Sequence, residues 1–128
     1  AALLRSARVD RWRRVALASV KQSRRAVLPE VRVPLTFENF LDEPPAALRL
    51  MLVEPAAGAG EPIASLQRRP TPADASVLVG PEGGWTDAEC AAARDHGVRL
   101  VTLGHRTLRA DAVAVAAISV LQFVWGDL

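Results

Sequence analysis

The chain has 128 residues, half of them hydrophobic and 23% charged, with a formal net charge of +2 at neutral pH. That length suits one compact domain able to bury a core without covalent staples, and one cysteine, Cys90, with two histidines excludes an internal disulfide, a multi-cysteine zinc cluster and a histidine metal site. The lone cysteine suits a reducing cytoplasm, and the most apolar run, Ala112 to Trp125, is 14 residues long and interrupted by Ser119 and Gln122, short of the ~20 residues of a spanning helix, so no membrane segment is expected. The opening Ala1-Ala2-Leu3-Leu4-Arg5 lacks a signal-peptide pattern, and the absence of an initial Met hints at residues removed before Ala1.

Charge is segregated along the chain. Residues 1–34 carry nine Lys/Arg against two acids, and the remainder seven against twelve. A basic segment on a mildly acidic body suits a polyanion at one end, and a solvated helix face explains it equally well. In chain order, Asp10 is placed to cap a helix reaching about Arg25, with Trp12, Val15, Ala16 and Ser19 on one stripe and Arg11, Arg14, Lys21 and Arg25 off it. Pro29 and Pro34 break the chain, and Thr36 starts a short helical turn through Phe37 and Phe40. Leu48 to Val53, apolar except for Arg49, reads as a strand covered on both faces, followed by a Gly/Ala/Pro-rich loop from Glu54 to Pro62.

Ser76 to Val79 is a second strand, ended by Gly80-Pro81-Glu82-Gly83-Gly84. Thr86-Asp87-Ala88-Glu89 has capping-box spacing, and Gly97 lies where a stop is expected, which predicts a helix over Asp87 to His96. Val98 to Leu103 is a third strand. After the loop from Gly104 to Ala110, Asp111 is placed to cap a last helix whose apolar surface comes from Val115, Ile118, Val120, Leu121 and Val124. Strands alternating with helices imply an α/β domain with a mainly parallel sheet.

Open α/β sheets bind ligands at strand exits. The loop Gly80 to Trp85 is such an exit, and Gly83 and Gly84, lacking Cβ atoms, are free to take positive φ and let backbone approach a ligand. It matches neither the dinucleotide glycine fingerprint nor a phosphate-binding loop, and alone it is most simply a tight turn. Leu103-Gly104-His105-Arg106-Thr107-Leu108-Arg109 is a second exit, in which Arg106 and Arg109 taken singly read as surface charges. With Val53-Glu54-Pro55, three exits are expected to converge on one small molecule.

The strings Leu78 to Trp85, Leu103 to Arg109, Leu121-Gln122 and Gly126-Asp127-Leu128 closely resemble the RsmE family of 16S ribosomal RNA uridine-N3 methyltransferases, within the SPOUT superfamily. Arg11-Trp12, Gln22-Ser23, Arg25 and Pro29-Glu30 resemble that family's basic helix. The resemblance implies that residues 1–128 form a SPOUT-type methyltransferase domain, a mainly parallel sheet flanked by helices with a C-terminal trefoil knot holding S-adenosylmethionine. It implies cofactor contacts from Val53, Glu54, Pro55, Val79, Gly80, Pro81, Gly83, Gly84, Leu103, Gly104, Arg106, Thr107 and Leu108. Arg25, Arg109 and Asp111 become the catalytic candidates, with Arg25 reaching across a homodimer. Arg11, Arg14, Gln22, Arg24 and Arg25 become the contacts to 16S ribosomal RNA or the small-subunit particle. The chain departs from the family at several points. The family's N-terminal PUA-like barrel is missing; Leu-Arg-Thr-Glu-Thr-Ala is replaced by Leu108-Arg109-Ala110-Asp111-Ala112-Val113; Lys21 stands where an acid is common and Arg24 where glycine is common. Those departures leave two alternatives open: a SPOUT methyltransferase for another RNA position, or a non-catalytic RNA-binding or assembly module with the same fold.

Overall fold

The computed structural model of the chain describes residues 2–24, 26–55, 60–106 and 108–126, with side chains from Ser6 onward. It divides into two compact units, Ala1–Phe40 and Leu41–Leu128.

In the first unit, α1 (Ala2–Ser23) begins well before the expected cap. The Ala, Leu and Arg residues upstream favour helix strongly enough to continue it. Asp10 therefore lies inside the helix and faces Arg13 at 3.8 Å, an exposed pair one turn apart. The expected apolar stripe is not buried either: Trp12, Val15 and Ser19 are exposed and Ala16 half-buried, while Val9 is buried. Arg13 donates from Nε and Nη2 to the Val31 carbonyl at 3.1 and 3.0 Å, which fastens the proline-bounded segment to the helix. Arg24, just past the helix end, has φ +58°. This is the left-handed position that closes a helix, where a side chain costs about 1 kcal/mol. Thr36 Oγ1 accepts from the Asn39 amide at 3.1 Å and starts α2 (Phe37–Asp42), as its position predicted.

The second unit contains β1 (Leu48–Leu52), β2 (Glu61–Pro62), β3 (Ala75–Leu78), α3 (Asp87–Asp95), β4 (Arg99–Thr102) and α4 (Ala110–Val124), with a 3-10 helix over Ile63–Arg68. The four strands form a parallel sheet in the order β2-β4-β1-β3. Strand β2 and the 3-10 helix were not anticipated, since two residues inside a Gly/Ala/Pro loop carry no alternation to read. Leu50, Met51, Leu52 and Val53 are all buried, which is why β1 reads as a continuous apolar run. Leu50, Leu52 and Val101 pack with Ile63 and Leu66 of the 3-10 helix and Ala117 and Leu121 of α4. Each fully buried leucine contributes about 2 kcal/mol. Met51 and Leu100, paired in register, are also buried and by strand alternation lie on the opposite face.

Helix α3 starts as its spacing predicted. Thr86 Oγ1 accepts from the Glu89 amide at 3.1 Å and Glu89 Oε1 from the Thr86 amide at 2.9 Å, and Gly97 follows the helix at φ +77°. Helix α4 departs from expectation twice. Arg109 holds the cap position, without a side-chain capping bond, and Asp111 sits in the first turn. Its carboxylate accepts from the Ala112 amide at 3.0 Å and favours the positive end of the helix dipole. Val115 and Ile118 are 69% and 52% exposed, because α4 is apolar nearly all round and its periodicity cannot say which stripe meets the core.

At the edge of the sheet, Glu61 accepts from Arg99 Nε at 2.7 Å and from Ser65 Oγ at 2.8 Å. Burial pushes the Glu61 carboxyl upward, but the Ser65 hydrogen bond and the Arg99 guanidinium outweigh it and hold the group below its ordinary value. At the N-terminal end of β1, the buried Arg49 donates to the Leu41 carbonyl at 3.4 Å and to the His96 carbonyl. Asp74 accepts from the Ala47 amide at 2.7 Å and ties the starts of β1 and β3 together.

Candidate functional site

Parallel pairing sends the C-terminal ends of β1, β3 and β4 to the same side of the sheet. There Val53, Glu54 and Pro55, then Val79, Gly80 and Pro81, then Leu103 line one cavity of about 570 Å³. That volume lies within the roughly 300–1,000 Å³ of small-molecule sites. The start of α4 closes it with Arg109, Ala110, Asp111 and Val113, and Glu82, Gly84, Trp85, Arg106, Leu108 and Leu52 complete the wall. Its chemistry is mixed: the wall includes apolar Leu52, Val53, Val79, Leu103, Leu108 and Val113 together with the acids Glu54, Glu82 and Asp111 and the cations Arg106 and Arg109. Arg109 Nε lies 3.5 Å from Asp111 Oδ1, and the two side chains are 88% and 73% exposed.

The glycines serve different purposes. Gly84 has φ +77° and donates its amide to the Pro81 carbonyl at 2.9 Å, closing the turn. Gly83 has no positive φ and lines a neighbouring pocket of about 290 Å³ with Val53, Glu54, Gly84, Trp85 and Cys90. Gly104 takes φ +66°, yet a Cβ there would meet no protein atom within 4 Å, and the residue is not in the wall of the larger cavity. Its glycine requirement is conformational rather than steric. Gly80 has the opposite need: an added Cβ would stand 2.8 Å from Trp85 Nε1.

Of the other site residues expected from the sequence, Arg25 and Thr107 lie outside the described residues. Arg11, Arg14, Gln22 and Arg24 belong to the first unit and are exposed. Leu52, Glu82, Trp85, Ala110 and Val113 were not named in advance. The available signal for Trp85 was a tryptophan closing a glycine loop, and for Ala110 and Val113 their places beside Arg109 in the first turn of α4. Cys90, in the smaller pocket, has its thiol pushed up by burial and by Asp87 and Glu89, against the pull of Arg94.

Residues 4–122 match a family model described as an RNA methyltransferase domain. The ribosomal RNA small subunit methyltransferase E of a Synechocystis strain is 38% identical over 123 residues, covering 89% of this chain and 39% of that protein. Among solved structures, a ribosomal RNA small subunit methyltransferase E from Neisseria gonorrhoeae bound to S-adenosyl methionine aligns with a TM-score of 0.81 at 31% identity, over 94% of this chain and 49% of that one. A candidate methyltransferase from Legionella pneumophila in complex with the cofactor SAM aligns with a TM-score of 0.86 at 30% identity, over 96% and 49% of the two chains. The chain spans less than half the length of each of these relatives.

Proposed function

The chain belongs to the RNA methyltransferase family, and from that premise we propose that residues 1–128 are the cofactor-binding domain of an S-adenosylmethionine-dependent methyltransferase acting on N3 of a uridine in 16S ribosomal RNA. The observation that carries this reading is the convergence of three strand exits and the first turn of α4 on one cavity. The residues present fit the cofactor: apolar wall residues suit its adenine, and carboxylates and guanidiniums in the same wall suit a sulfonium joined to an amino-acid zwitterion. Two longer relatives, whose matching halves share this fold, bear the names of SAM-bound proteins.

When bound, S-adenosylmethionine supplies an electrophilic methyl group. Glu54, Glu82 and the strand-exit backbone would hold the cofactor, with Arg106 also in the wall. Uridine N3 becomes a nucleophile only as its proton leaves and negative charge spreads to the flanking carbonyl oxygens. Arg109 stabilises that charge, and Asp111, within 3.5 Å of its Nε, orients it or takes the proton. Arg25 is assigned a second share of that stabilisation from across a dimer. The dimer itself is proposed from the exposed apolar side chains Val115, Ile118 and Phe123 on α4.

The arginines of α1 give the domain a sequence-independent grip on RNA phosphates. The C-terminal knot is part of the same reading: β4 enters the sheet between β1 and β2, which are joined by an earlier connection, and α4 follows it. Among the described residues no helix is long and apolar enough to cross a membrane, and the cytoplasm, where ribosomes are modified, is the proposed location. The test is calorimetric titration with S-adenosylmethionine, followed by methyl transfer to small-subunit particles with mass analysis of the RNA. Tight binding with a methyl on a uridine base supports the reading. No binding, or a methyl elsewhere, overturns it.

A further inference from the structure

We infer that Trp85 is a positioning residue for the cavity, tying the exit of β1 to the exit of β3 and fixing the width of the slot between them. Its indole Nε1 donates to the carbonyl of Leu52, the last residue of β1, at 3.0 Å. The same ring lies against Gly80 just beyond β3: a Cβ built on that glycine would be 2.8 Å from Nε1, 3.0 Å from Cε2 and 3.2 Å from Cδ1. Strands β1 and β3 are paired in register only as far as Met51 and Leu78, so ladder pairing does not extend to the two exits. The indole spans them at that point. It also lines both the larger cavity and the smaller pocket, standing in the wall they share. Thr86, the cap of α3, is the next residue, so the brace and the start of that helix are set together.

A tryptophan that merely filled space would not need its N–H aimed at a strand-end carbonyl, nor a glycine beneath its ring. The inference rests on the cofactor reading above, and the experiment separates the two. S-adenosylmethionine affinity is measured calorimetrically for the whole chain and for Gly80→Ala, Trp85→Phe, Trp85→Leu and the Gly80→Ala/Trp85→Leu double variant. Exchange of the Trp85 indole proton, assigned by its loss in Trp85→Phe, is followed by NMR without ligand. A brace predicts roughly tenfold weaker binding for Gly80→Ala and for Trp85→Phe, the order of one lost hydrogen bond. It also predicts that Gly80→Ala adds almost nothing once Trp85 is leucine, because the clash has gone. The indole proton should exchange slowly in the parent chain and quickly in Gly80→Ala. Folded variants with unchanged affinity, or equal Gly80→Ala effects in both backgrounds, overturn the positioning role. A chain that binds no cofactor but still loses indole protection on Gly80→Ala overturns the cofactor reading and leaves the brace standing. Fast exchange in the parent removes the brace.

Discussion

The two ends of the parallel sheet use charge in opposite ways. At the N-terminal end of the strands, Arg49 is buried and its guanidinium is spent on two main-chain carbonyls, Leu41 and His96, while Asp74 accepts from the Ala47 amide. At the C-terminal end, Arg109 and Asp111 stand 88% and 73% exposed at the rim of a cavity, joined only by a loose 3.5 Å contact. A satisfied buried charge is part of the scaffold. A charge presented to a concave surface is available to a ligand, so the same residue type is part of the scaffold at one end and, in the function proposed above, carries chemistry at the other.

Arg109→Ala should produce the largest effect and the cleanest separation. Turnover should fall roughly 100-fold or more, the loss typical of one group that stabilises developing charge, while unfolding in urea shifts by less than about 0.5 kcal/mol. A destabilised variant with normal turnover would erase the contrast between the ends. Arg49→Met should do the reverse, leaving two carbonyls unpaired and costing about 2 kcal/mol in urea unfolding, with the cofactor affinity of the folded fraction unchanged.

Gly104→Ala should cost about 1 kcal/mol because of its positive φ, without steric damage, read as a lower melting temperature. The smallest effect belongs to Glu61, a satisfied charge at the sheet edge. Its folded pKa is lowered, so its contribution is present above the ordinary value of 4.5 and is lost as pH falls from there through the folded value. Glu61→Gln should remove this small contribution at neutral pH and flatten the stability curve on the acid side, so that parent and variant converge as pH falls. A slope on the alkaline side would have the wrong sign.

Legibility in the sequence followed the strength of local signals. Helix α3 was readable to within a residue because Thr86, Glu89 and Gly97 each satisfy a backbone requirement that few other residues meet. Strands β1, β3 and β4 were readable as short apolar runs, with ends misplaced by one residue. Asp10 and Asp111 misled because an aspartate inside a helix, or in its first turn, has the same local sequence appearance as a cap. Most of the cavity wall was legible because strand exits and glycine loops follow chain order. Trp85 was not, since its role depends on Gly80 and Leu52 being brought beside it by the sheet.

Among the described residues β4 is the last strand, yet it occupies a place between β1 and β2. On a translating ribosome, at about 5–20 residues per second, the edge of β1 that will receive β4 waits several seconds for its neighbour. An apolar strand with an open edge is a template for pairing with other chains. Arg49, the second residue of the run Leu48-Arg49-Leu50-Met51-Leu52, places a charge in the segment during that interval, and charges so placed interrupt strand aggregation. The side chain that later disappears into the scaffold is thus a guard for the nascent polypeptide before the sheet is complete.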